Sequence, residues 1–107
     1  MTTERKMHSK IVGVTFDNRQ ENIEPLTDGQ KLFVQHDINN AFDANALQVF
    51  ADEQLTKPLG YLKKELAKDL QEQGTKGWKY EYFLSEKTGG GKNKSWGVNV
   101  LIIATHD

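Results

Sequence analysis

Asn39-Asn40-Ala41-Phe42-Asp43-Ala44-Asn45-Ala46-Leu47 separates two apolar runs, one centred on Leu32-Phe33-Val34 and one on Leu47-Gln48-Val49-Phe50. Short carboxylate and carboxamide side chains bond back to nearby backbone and fix turns, so the stretch reads as an ordered corner. The residues after it alternate well enough for a strand over 46–51, as do residues 30–36 before it. Asp43 and Asn45 then sit where loop meets sheet, a usual place for binding groups.

Working outward, residues 10–16 (Lys-Ile-Val-Gly-Val-Thr-Phe) read as a first strand, bent or bulged at Gly13. Residues 17–29 show no sustained period and end in Asp28-Gly29, which fits a loop with a tight turn. Downstream, residues 57–61 form a short strand that Pro58 confines to an edge or a strand start. Leu62, Leu66 and Leu70 recur at helical spacing with Ala67 beside them, predicting an amphipathic helix over 62–73 that Gly74 ends. Residues 77–84 alternate Trp78, Tyr80 and Tyr82 with polar residues, and 96–105 end in an apolar run. The glycine-rich residues 85–95 between them read as a flexible hairpin loop. Residues 1–8 are polar and read as a disordered tail. About six strands with one main helix after the fourth favour a mainly β, α+β fold, a small OB-like barrel, over a parallel α/β sheet.

A chain of 107 residues suits one domain with a continuous core. It contains no cysteine, which excludes disulfides, thiolate metal sites and cysteine nucleophiles. No stretch has the length and apolarity of a signal peptide or a membrane span, so a cytoplasmic protein is expected. Fourteen Lys and Arg against fifteen Asp and Glu give a net charge of −1, whereas a binder relying on bulk electrostatics would be basic. The charge is uneven. Residues 1–56 carry five basic and nine acidic side chains, net −4, and residues 57–107 carry nine and six, net +3.

Catalytic patterns are missing. Gly91-Lys92-Asn93 lacks the Ser or Thr of a phosphate-binding loop, and Glu86 stands where its first glycine belongs. His8, His36 and His106 are too scattered for metal-ligand spacing, Asp37 and Asp43 alone do not make a nuclease metal site, and no serine has a Gly-x-Ser-x-Gly setting. A protein without enzymatic activity, metal or cofactor is expected.

The corner, followed by Leu59-Gly60-Tyr61-Leu62 running into the helix, resembles the HIRAN family. That family carries Asn-x-[Tyr/Phe]-Asp-x-Asn-Ala-[Leu/Ile]-x-Val and then Gly-[Tyr/His]-[Leu/Val] in the same order, and the resemblance covers residues 9–104 of a domain expected over 9–105. It implies a small barrel that binds single-stranded DNA, in some members a free 3′ end, in repair or replication-fork processing. It also implies the site: Asn40, Phe42 and Asp43 at the corner, Thr15 and Phe16 at the end of the first strand, and Lys64 near phosphates. Asp43 would accept from a terminal sugar hydroxyl and Phe42 would stack on a base. Each has a structural reading beside it, Asp43 as a turn-former and Lys64 as a solvated helix residue. Tyr61 and Trp96, next to strand ends, are further stacking candidates, and Lys92 and Lys94 could meet phosphates. Trp78, Tyr80 and Tyr82 read instead as barrel wall. The eukaryotic 3′-end binders show Arg-Tyr where this chain has Thr15-Phe16, and Tyr where it has Phe42. Any helicase or nuclease partner would come in trans. The rival expectation is a protein-interaction or structural module with the same fold and no DNA binding.

Overall fold

Val98, Val100, Ile102 and Ala104 alternate along one strand, Trp96–His106, and all four are buried. That period of two makes this strand the spine of the molecule, because its apolar face must be covered by whatever pairs beside it. The computed structural model describes residues 1–92 and 94–107. Its elements are β1 (Thr3–Lys10), α1 (Arg19–Ile23), β2 (Lys31–His36), β3 (Leu47–Phe50), β4 (Pro58–Tyr61), α2 (Lys64–Gly74), β5 (Lys79–Gly89) and β6 (Trp96–His106). The strands pair antiparallel in the order β1-β6-β5-β2-β3-β4.

The two ends of that order meet. Just past β1, the Ile11 N–H donates to the Val98 carbonyl at 2.9 Å, and Val12 exchanges both backbone bonds with Tyr61, at 2.8 and 2.9 Å. The sheet thus curls into a small OB-like barrel with the main helix after the fourth strand, as expected. Gly60 permits the seam: its φ is +152°, and a Cβ there would overlap the Val12 carbonyl and the Ile11 side chain. Inside lie Ile23, Leu32, Val49, Leu59, Leu84 and Ile102. The helix α2 adds Ala67 and Leu70, with Leu66 half-buried. A fully covered leucine such as Leu70 contributes about 1.5–3 kcal/mol.

Five expectations are corrected. The supposed N-terminal tail is β1, paired with β6 from Thr3↔His106 to Lys10↔Asn99. Its side chains are nearly all exposed, so it carries no apolar signal, and it is held by backbone bonds to a partner at the far end of the sequence. The expected first strand over 10–16 contributes Lys10, the last residue of β1, with Ile11 and Val12 to the sheet, and at Gly13 the chain turns away. The loop over 17–29 contains the short helix α1, whose Ile23 is fully buried. The glycine-rich segment is largely strand, since β5 runs to Gly89 and the turn is closed by Gly90 N–H to Ser95 O and Lys94 N–H to Gly91 O. The helix boundary also moves: Leu62 donates its N–H to Leu47 O at 3.0 Å, so α2 starts two residues later.

Candidate functional site

The corner between β2 and β3 is built by its own side chains. Asp37 donates its N–H to Ala46 O at 2.8 Å, and the residues between leave the ladder and must find partners elsewhere. Asn40 provides them: its Oδ1 accepts from the N–H groups of Phe42 and Asp43, both at 2.9 Å, and its Nδ2 donates to Asp37 Oδ2 at 3.3 Å. Asp43 Oδ1 accepts from the Asn45 N–H at 2.9 Å, and the His36 Nε2 donates to Ala44 O at 2.8 Å. On this braced backbone Phe42 is 94% exposed and the neighbouring Ile38 75%. Asp43 is half-buried, and its Oδ2 accepts no hydrogen bond among the described residues.

The corner is tied across the barrel seam. Tyr61 donates its hydroxyl to Asp37 Oδ2 at 2.8 Å. Burial, and then the Asp37 carboxylate, push the Tyr61 phenol above its ordinary value. The Arg19 guanidinium lies 5.2 Å from the centre of the Tyr61 ring, within cation–π range, and its Nη1 donates to the Gly13 carbonyl. The same carbonyl accepts the Phe16 N–H at 3.4 Å, and Phe16 is 66% exposed. An unbroken series of contacts therefore runs from Phe16 through Gly13, Arg19, Tyr61, Asp37 and Asn40 to Phe42 and Asp43. It joins two displayed rings on either side of the Val12–Tyr61 bridge, with Val12 itself exposed.

The other sequence-selected residues are placed differently. Lys64 opens α2, three positions beyond Tyr61, and Thr15 lies in the Gly13–Phe16 turn; both are exposed. Lys92 and Lys94 stand exposed at the tip of the β5–β6 hairpin. None of these four makes a side-chain hydrogen bond or ion pair among the described residues. Trp96 is half-buried against the core, with the Lys87 ammonium 4.4 Å from its ring centre and Gly90 so close that a Cβ would overlap the indole. Gln20 of α1 bonds both the N–H and the carbonyl of Trp96, at 2.7 and 3.0 Å, and donates to Val14 O at 2.9 Å. Trp96 therefore fastens the hairpin to α1, and its ring faces are already engaged. Tyr80 and Tyr82 pack against the core, as the barrel-wall reading requires.

Arg19 and the bracing role of Asp37 escaped the sequence reading. A lone arginine in a polar segment carries no signal of burial, and Asp37 shows its role only once Tyr61 arrives from β4. Among the described residues no group of three or more His, Asp or Glu is placed to hold a metal ion, and no helix is long and apolar enough to cross a membrane.

These features define a small antiparallel barrel that displays aromatic rings from a side-chain-built corner beside its closing seam. Two solved structures share the architecture. The HIRAN domain of human HLTF superposes with a TM-score of 0.71 at 20% identity, covering 99% of this chain and 80% of that one. A protein from Lactobacillus plantarum gives a TM-score of 0.73 at 15% identity over the whole of both chains. The chain has a HIRAN-like fold. No protein-family profile and no curated protein sequence matches it.

Proposed function

We propose that this barrel binds single-stranded DNA at the corner and seam, as a recognition module without catalytic activity. The observation that carries the reading is the display of Phe42 and Phe16 at the two ends of one braced series of contacts. Exposed rings on a braced backbone are suited to stacking on unpaired bases, each worth about 1–3 kcal/mol. Lys64, at the start of α2, would offer a point charge to a phosphate, and the exposed Lys92 and Lys94 at the hairpin tip would offer two more. Asp43 has an oxygen free to accept from a terminal 3′ hydroxyl, a role an ionised carboxylate fits because it only accepts. Such a module would present an unpaired end to a helicase or nuclease.

A short oligonucleotide should bind with an affinity that falls as salt rises, because phosphate contacts release counterions. Asp43→Ala should erase discrimination between 3′-hydroxyl and 3′-phosphate ends; equal binding of the two by the unaltered protein argues against end recognition. The exposed Val12, Phe16, Ile38 and Phe42 also favour a second reading, a protein-docking face. No oligonucleotide binding at low salt would select it.

A further inference from the structure

Arg19 is 8% exposed, and a buried guanidinium requires a balancing charge or a full set of acceptors. It has neither. Nη1 meets the Gly13 carbonyl, the Tyr61 ring lies beside the group, and Nε is buried with no acceptor among the described residues. The ion partner among the described residues is Asp17, whose Oδ2 stands 3.7 Å from Nη2 while its side chain is 84% exposed. A contact this long, made by so exposed a carboxylate, is weak. Asp17 also holds a left-handed backbone, φ +52°, which is uncommon for a residue with a Cβ. The edge of Arg19 that Asp17 reaches from solvent is equally within reach of an anion arriving from solvent.

We infer that the Nη2 edge of Arg19 is a seat for a phosphate group, and that the Asp17 carboxylate occupies it in the free protein. On the nucleic-acid reading proposed above, the phosphate is a phosphodiester of the bound strand, held beside Phe16 in the same turn. Binding then exchanges a loose internal partner for a stronger one, and Asp17 acts as a competitor that lowers affinity for stray anions.

The test titrates the full chain and its Asp17→Asn variant with inorganic phosphate, following the Arg19 Nε–Hε resonance. Asp28→Asn, which removes an equal charge from an exposed turn, is the control. The Arg19 signal should shift saturably, at roughly two- to five-fold lower phosphate in Asp17→Asn, with Asp28→Asn matching the unaltered protein. An Arg19 resonance that phosphate leaves in place, or equal tightening in Asp28→Asn, overturns the seat. Oligothymidylate is then measured at one salt concentration, where Asp17→Asn should tighten by a similar factor. If phosphate moves the Arg19 signal and no oligonucleotide binds, the seat stands and the nucleic-acid reading falls. If the oligonucleotide binds with Arg19 unmoved, the seat falls and that reading stands.

Discussion

Phe42→Ala should separate folding from binding. At 94% exposure the ring loses little apolar contact when removed, and alanine keeps the backbone N–H that Asn40 Oδ1 accepts at 2.9 Å. Stability should therefore stay within about 0.5 kcal/mol of the unaltered protein, as for most surface substitutions. Binding should suffer far more. One lost base stack costs about 1–3 kcal/mol, which is about 5- to 150-fold in Kd at about 1.4 kcal/mol per decade. Phe50→Ala supplies the opposite pattern: that ring is 7% exposed, so its removal should cost about 3–5 kcal/mol of stability. Urea unfolding gives the first quantity, and fluorescence anisotropy of a labelled single-stranded oligonucleotide gives the second. An unchanged Kd in Phe42→Ala refutes the stacking role. A stability loss as large as the affinity loss refutes the claim that the corner holds its shape without the ring.

Three further outcomes are expected. Asn40→Ala leaves the N–H groups of Phe42 and Asp43 without their acceptor and takes a donor from Asp37, so it should lower stability by about 1–2 kcal/mol, read from denaturant midpoints. Gly60→Ala drives a Cβ into the Val12 carbonyl at a φ that L side chains avoid; it should cost at least about 2 kcal/mol and speed amide exchange at Val12 and Tyr61. Burial, and then Tyr80, hold the Tyr82 phenol above its ordinary 10.0. Below that value the phenol is neutral in folded and unfolded chains alike, whereas above it the unfolded chain releases a proton that the fold retains, so stability falls as pH rises. Unfolding free energies compared at about pH 9 and about pH 11 should show a smaller loss in Tyr82→Phe than in the unaltered protein.

What was legible in the sequence was local. The Asn- and Asp-rich corner announces itself because its turn is fixed by side chains acting within a few residues, and the helical recurrence of Leu66 and Leu70 with Ala67 marks the helix before any partner is known, although Leu62 before them belongs to the chain leading in. What was illegible depends on distant pairing. β1 has almost no buried side chain, so nothing in Thr3–Lys10 reports its pairing with β6 across the length of the chain. Glycines at 89–91 read as part of a flexible hairpin loop by composition, yet Gly90 admits the Trp96 indole against the backbone. Side-chain surroundings are equally illegible: Arg19 gives no signal of burial until the fold places Tyr61 beside it, and Trp96 is a stacking candidate by sequence until Lys87 and Gly90 are seen against its ring.

The Val12–Tyr61 bridge is a single reciprocal pair of bonds at the point where the cylinder shuts, with Gly13 and Phe16 leading away on one lip and Asp37 and the corner braced to the other. A guest resting on both phenylalanines would span that lip-to-lip gap like a buckle across a belt. Its grip would then tighten the whole hoop, and its departure would leave the cylinder easiest to spring open at the place where it had been held.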